Sequence, residues 1–482
     1  MSARREPNVF RVVASQTVAG FGWTAAALLV NFLTKMVLAR RMPATEFGMV
    51  VAAQSFLALA LAATELGIPE AVMRYVARDG APRRTVHAGI GLVAVSTAAS
   101  AVVVLAGLWI WFRPTMSAAA LWATAIVTLG LPLFAFGDVL GAAYRGVNRL
   151  GLKLFVLDVA RPGFVTIVAL LSPALLVRHA PYVAGLYVCG AAVTTAVLAV
   201  LFRTDRRWQD EGGSRASELL SFGLPVAGGA ILAGPIVNSI MPLMLGAWVG
   251  AADIAFYGVA LSLAALIVLP TGIIESAVLP TWTRMAADAT HDDLADSYRQ
   301  YAHVCTLGAV VIGLLMLAND IALLTFLFGP VYEAAAPALR WVVIAALVAT
   351  LTGPPNEGML LAYGQAGTGF RARLVAALAG TGSAALLIPQ YGLGGAIAAY
   401  AVLAIALDTY LSVALYRATR LHPFTRRYGA TVVMATLGVL AATVMRPAFP
   451  RAAWVTAHLL ALLAVAVNSD LRLAVRRFLA AH

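Results

Sequence analysis

The sequence predicts an all-α integral membrane protein of about fourteen transmembrane helices, arranged as two six-helix lobes plus a C-terminal helix pair. Three observations predict it. Hydrophobic residues make up 61% of the chain and charged residues 12%, against ~45–50% and ~25% in soluble domains. With a mean hydropathy of +0.87, no globular interior of 482 residues could hide that surplus, so lipid must solvate it. Apolar runs recur along the chain, each near the ~20 residues that a helix needs to cross a bilayer, and arginine collects in alternate breaks between them.

The first two runs, 17–38 and 47–66, are separated by Ala39-Arg40-Arg41-Met42-Pro43-Ala44-Thr45-Glu46, a break too short for anything but a tight reversal. They form a helical hairpin that closes with Gly67-Ile68-Pro69-Glu70. Spans 3 to 6 follow at 86–112, 118–143, 152–177 and 180–202. The polar segment 203–218, with its mixed charges and Gly212-Gly213, reads as a cytoplasmic linker. Spans 7 to 12 lie at 219–247, 254–279, 301–328, 335–362, 373–388 and 392–416, and spans 13 and 14 at 429–446 and 452–468. The domain reading is an N-terminal lobe at 1–202, the linker, a C-terminal lobe at 219–416, and the extra pair with a cytoplasmic tail at 417–482. Between spans 11 and 12, Pro389 and the paired glycines leave little room for a turn.

A formal charge of +12 would suggest nucleic acid in a soluble protein. Here the basic residues sort by side of the membrane instead, and no nucleic-acid partner is expected. Loops on the side of the N-terminus hold Arg74, Arg78, Arg83 and Arg84, then Arg145, Arg149 and Lys153, then Arg203, Arg206, Arg207 and Arg215, and later Arg417, Arg420, Arg426 and Arg427. The opposite loops hold Arg40, Arg41, Arg113, Arg178, Arg446 and Arg451. Both termini are therefore expected in the cytoplasm, with the chain multi-pass in the cytoplasmic membrane and its N-terminus a retained tail. An internal repeat is also legible. Val30-Asn31, Phe47-Gly48 and Gly67-Ile68-Pro69-Glu70 are echoed by Val237-Asn238, Tyr257-Gly258 and Gly272-Ile273-Ile274-Glu275. An even number of spans per half restores orientation, so the halves would be related by a pseudo-twofold axis along the membrane normal.

Three separated landmarks carry a family resemblance. Residues 39–48, followed by Glu65-Leu66-Gly67-Ile68, resemble the first hairpin of the oligosaccharide flippases, polysaccharide transporters of the multidrug/oligosaccharidyl-lipid/polysaccharide exporter superfamily. Phe328-Gly329-Pro330-Val331-Tyr332-Glu333-Ala334-Ala335 is similar to that family's periplasmic loop before span 10, and Leu387-Ile388-Pro389-Gln390-Tyr391-Gly392-Leu393-Gly394-Gly395 to its hairpin between spans 11 and 12. The resemblance implies a V-shaped pair of bundles that moves a polyprenyl-diphosphate-linked oligosaccharide across the membrane by alternating access, for surface polysaccharide biosynthesis. It implies a polysaccharide polymerase or glycosyltransferases as candidate partners, beside membrane lipid. Many relatives carry an aspartate where Asn238 aligns, so the resemblance brings no coupling ion with it; a Na+ or H+ gradient stays open as the driving force, and no cofactor is expected.

Charges within spans are costly, about 3 kcal/mol at the centre, and face a wet cavity or a partner. Asp158 and Arg161 are three apart on span 5 and are expected to pair, with Arg161 either neutralised there or held towards a substrate diphosphate, whose oxygens a planar guanidinium can bond in pairs. Lys35 and Arg340 lie near outer span ends, where they either snorkel or reach the cavity. Asn31 and Asn238 are amides for sugars or for joining helices. Asp408, deep in span 12, leads the candidates for a protonatable or cation-binding carboxylate, with Glu275, Glu357 and Asp138 beside it; Glu65 also lies near an inner end.

No enzyme signature is present. There is no Gly-x-x-x-x-Gly-Lys phosphate loop, the 7 histidines are scattered, Cys189 and Cys305 read as packing residues, and the loops are too short for a catalytic domain. The remaining alternatives are a lipid II flippase, or a cation-coupled multidrug antiporter of the same superfamily. Arg161 and Lys35 argue against the antiporter.

Overall fold

A computed structural model describes residues 9–80, 82–107, 109–110, 117–209, 213–233, 235–288, 291–351, 356–445 and 450–467. Within them the chain is helical, and the sole non-helical pairing recorded is an isolated bridge between Pro82 and Gln209. Among the described residues twelve helices are long and apolar enough to cross a membrane. Spans 7 and 14 carry shorter apolar stretches, Ser239–Trp248 and Arg451–Leu463, so the membrane-protein class holds while the count of fourteen is not established. In span 7 the described residues Ala216–Ala233 and Pro235–Trp248 are helical, and each stretch carries a proline inside it.

The chain divides into two compact units. The first comprises 1–246 with 250–255, and the polar segment 203–218 belongs to it. That segment is docked on the first unit. Gln209 O accepts from Arg83 N at 2.8 Å, Ser214 N donates to Thr85 Oγ1 at 2.9 Å, and Ser214 Oγ donates to Asp79 at 3.2 Å. Trp208 is buried against Phe202 and Tyr144, and Arg149 pairs with Asp205 at 3.1 Å. The Arg78 guanidinium beside Asp79 holds that carboxyl below the usual carboxylate range.

Polar contacts at helix ends close the first unit. Span 1 (Val9–Arg41) lies on span 5, where Thr34 Oγ1 bonds Pro162 O at 3.2 Å and Thr166 Oγ1 at 2.6 Å. Arg41 donates to the carbonyls of Ala169, Leu170 and Ser172 at the C-terminal end of the helix Arg161–Leu171, a favourable place for a cation. Glu46 accepts from Ala180 N at 2.7 Å, at the N-terminal end of span 6. Span 2 (Ala44–Thr64) stops at Leu66 and Gly67, both left-handed, and the chain turns into an amphipathic helix, Ile68–Asp79. At the echoed position the second unit behaves differently. The helix Ala251–Asp288 runs unbroken through Gly272, so the sequence repeat is not a repeat of local structure there.

The second unit comprises 247–249 and 256–482. Span 11 (Ala366–Tyr391) and span 12 (Leu393–Thr419) meet at the single residue Gly392, φ +55°, with Pro389 carried inside the helix. A Cβ at Gly380 would lie 2.7 Å from Leu403 Cβ, which is how closely these two helices approach. Tyr428 is buried, and its hydroxyl donates to Leu351 O at 2.8 Å. Arg340 is tied to Asp320, a fully buried carboxylate at the head of the short helix Asp320–Phe328. Asp320→Ala would strand the guanidinium. Breaking a buried pair costs ~3–5 kcal/mol, reduced here because the Arg340 side chain is 30% exposed, so a loss of about 2–3 kcal/mol is expected. The thermal unfolding midpoint in detergent, which should fall by several degrees, checks it; an unchanged midpoint would mean the pair is dispensable.

Candidate functional site

Arg161 occupies the point where span 5 changes winding. Leu154–Ala160 is a wide π turn, and Arg161–Leu171 continues as an ordinary helix beginning with Pro162 near its first position. The expected Asp158–Arg161 pair does not form. In a π turn residues five apart stack, and Asp158 is bound by Lys153 at 2.7 Å. Arg161 is released towards span 4, where its Nη2 lies 3.9 Å from Asp138 Oδ1 and its guanidinium 5.0 Å from the Phe134 ring centroid. Phe134 and Asp138 are one helical turn apart on span 4 (Ala118–Gly146), so a single face presents both an aromatic ring and a carboxylate to the cation.

Two glycines make room for it. A Cβ at Gly137 would come within 2.9 Å of Arg161 Nη2, and one at Gly190 within 3.3 Å of Arg161 O. The guanidinium is nevertheless not saturated: Nε and Nη2 are buried without a hydrogen-bond partner. Glu65, just beyond the end of span 2, is a neighbour of Asp138, and its Oε1 is likewise buried and unbonded. Around Arg161 the first unit thus holds two carboxyls, one guanidinium and unused donors.

The other candidates of this unit are placed as follows. Asn31 Nδ2 donates to Ala27 O at 2.9 Å and to Asp158 O at 3.4 Å, which joins helices. Lys35 is half-buried one turn further along span 1. The side chain of Asn238 lies outside the described residues.

In the second unit three carboxyls converge. Glu357 pairs with Arg373, and Glu275 and Asp408 lie within electrostatic reach of Glu357 and of each other. Small residues again set the spacing, since a Cβ at Gly358 would lie 2.6 Å from Glu275 Oε1. A hydrogen-bonded chain braces the group: Tyr298 donates to Asn356 Oδ1 at 2.6 Å, Asn356 donates to Ser412 Oγ at 2.7 Å, and Ser412 donates to the Asp408 carbonyl at 2.7 Å. Among the described residues no group of three or more His, Cys, Asp or Glu could hold a metal ion. Arg340 belongs to neither group, because it is held by Asp320.

Reading charges one at a time missed the partners, yet a signal was available. Glu65, Asp138 and Arg161 sit on spans 2, 4 and 5, and Glu275, Glu357 and Arg373 on spans 8, 10 and 11. Numbered within their halves these are the same spans, so overlaying the halves would have grouped both sets.

The sequence matches the polysaccharide biosynthesis protein family over residues 17–286, more than half of the chain. The chain belongs to that family. Its match covers Glu65, Asp138, Arg161 and Glu275, while Glu357, Arg373 and Asp408 lie beyond it. This polysaccharide biosynthesis protein also has solved structural neighbours. An inward-facing MATE-family multidrug resistance transporter of the MOP superfamily superposes with a TM-score of 0.66 at 15% identity, over 84% of this chain and 96% of that one. The lipid II flippase MurJ, in an inward closed conformation, gives 0.65 at 11% identity, over 93% and 98%. An outward-facing MATE transporter gives 0.55 at 15% identity, over 88% and 96%. At these identities the likeness is one of fold. No curated protein matches the chain. The chain is accordingly a multi-pass membrane protein of the polysaccharide biosynthesis protein family, with a fold like that of these transporters.

Proposed function

We propose that the protein translocates a polyprenyl-diphosphate-linked oligosaccharide across the cytoplasmic membrane by alternating access, to feed surface polysaccharide synthesis. The observation that carries the reading is Arg161, a membrane-embedded guanidinium steadied by Asp138 and Phe134 with two buried nitrogens unbonded. A diphosphate drawn into a low-dielectric path needs such donors. Family membership points to polysaccharide, and MurJ, of the same fold, is a lipid II flippase. MATE transporters of this fold occur both inward- and outward-facing, which supports alternating access. Arginine placement supports cytoplasmic termini.

The acidic surplus around Asp408, with three carboxyls to one paired arginine, favours a monovalent cation as the coupling species, H+ or Na+. The test is translocation of a fluorescent polyprenyl-diphosphate oligosaccharide in proteoliposomes under imposed pH and sodium gradients. Gradient-driven flipping is expected, with the gradient response lost in Asp408→Asn. Gradient-driven efflux of cationic dyes without flipping would instead establish the multidrug antiporter. Flipping in Asp408→Asn with an unchanged gradient response would remove Asp408 from coupling.

A further inference from the structure

In the second unit, the C-terminal end of span 9 and the helices of spans 13 and 14 line an open pocket of about 510 Å³. That is within the range of ~300–1,000 Å³ typical of small-molecule sites. One wall is apolar, formed by Leu317, Ala442 and Ala453, and Arg451 and Trp454 stand in the lining beside it. Arg451 forms no ion pair among the described residues. It lies in the first turn of the helix Pro450–Val467, whose positive dipole end therefore adds to its charge.

The aromatic wall is fixed in place. Trp454 Nε1 donates to Asn319 Oδ1 at 3.0 Å. His458 packs on Trp454 in a tilted arrangement with ring centroids 4.0 Å apart. Its Nδ1 lies 2.8 Å from Trp454 O, a carbonyl that can only accept, so Nδ1 carries the proton and Nε2 is left to accept from Asn319 at 3.2 Å. Further along the helix Val455, Leu459 and Leu462 form an exposed apolar stripe at helical spacing. The pocket is thus cationic and aromatic where a span meets the headgroup region, and apolar towards the hydrocarbon.

We propose that this pocket binds the headgroup phosphate of an anionic phospholipid through Arg451, with the acyl chains lying along Val455, Leu459 and Leu462. Arg451 supplies the attraction, Trp454 packs against the glycerol region, and the Asn319–His458 network holds Trp454 in position. None of the residues that line the pocket belongs to the Asp408 group.

The experiment is native mass spectrometry of the delipidated full-length protein, titrated with phosphatidylglycerol or phosphatidylcholine of identical acyl chains. One arginine at the headgroup level is worth about 1 kcal/mol towards an anionic lipid, so the wild type is expected to prefer phosphatidylglycerol about fivefold. Arg451→Gln should bring the ratio close to one, Arg451→Lys should keep most of it, and Trp454→Ala should weaken both lipids. Equal affinities in the wild type, or a preference that survives Arg451→Gln, would overturn the site. Polyprenyl diphosphate displacing phosphatidylglycerol at lower concentration would overturn the phospholipid as occupant and assign the pocket to substrate lipid.

Discussion

Arg161→Ala is expected to reduce translocation of the lipid-linked oligosaccharide about 100-fold, a cost near 3 kcal/mol in the transport step and within the range for lost charge-assisted hydrogen bonds. Two effects act together. On the proposed function the diphosphate loses its donors, and Asp138 and Glu65 lose the cation that offsets them, which leaves two neighbouring carboxyls facing the same low-dielectric space. The conservative variant separates the effects. Arg161→Lys keeps a charge for Asp138 but not the planar fork, so protein stability should recover while flipping recovers only in part, about tenfold below wild type. Asp138→Asn leaves the guanidinium charged but without its carboxylate, and should raise the substrate concentration needed for half-maximal rate more than it lowers the maximal rate. Flipping assays at matched protein levels, with thermal unfolding in detergent alongside, check all three. Wild-type flipping by Arg161→Ala would remove this residue from the substrate path.

Gly67→Ala is expected to destabilise the protein by about 2–5 kcal/mol. Gly67 has φ +67°, where a side chain costs ~1–2 kcal/mol, and its added Cβ would collide with the carbonyl oxygen of Gly223. Backbone cannot rotate away as a side chain can, so a further overpacking cost of ~1–3 kcal/mol follows. The approach is mutual, since a Cβ at Gly223 would lie 2.6 Å from Leu66 O. Gly272→Ala is the control. It is the echoed position in the sequence repeat, but it lies inside a helix with no heavy atom within 4 Å of an added Cβ, so its effect should be neutral or slightly stabilising. Unfolding midpoints of the two variants read the contrast directly, and equal midpoints would refute the account of Gly67.

The helices were largely legible in the sequence because lipid imposes one strong rule. A backbone in hydrocarbon must satisfy its own polar groups, so a sufficiently long apolar run is a helix whatever surrounds it. Spans 2, 4 and 6 show this, each within a few residues of its predicted bounds, whereas the helix of span 5 stops at Leu171, short of the predicted 177. Within the polar segment 203–218, Trp208 and Ser214 are buried, a burial that its mixed charge and paired glycines did not announce.

The candidate site was legible as a set of residue types and, with the halves overlaid, as two groups of spans, but not as pairs of side chains. Arg161, Asp138, Glu275, Glu357 and Asp408 stand out because charge within a span is costly. Asp158 seemed the partner of Arg161 because an ordinary helix brings residues three apart together. One π turn moved Asp158 to Lys153 and left Arg161 to Asp138, on a different helix. Asp320 was overlooked although it is fully buried, because its partner Arg340 lies across a turn from it.

By itself the sequence determined the solvent, the class of secondary structure, and the residue types that charge chemistry would single out, since transfer free energy depends on composition along one helix. Tertiary structure alone decided which carboxylate each arginine meets, and why Gly67 breaks a helix while Gly272 does not. Those outcomes depend on helix winding and on close approach between helices distant in sequence, which no local pattern encodes.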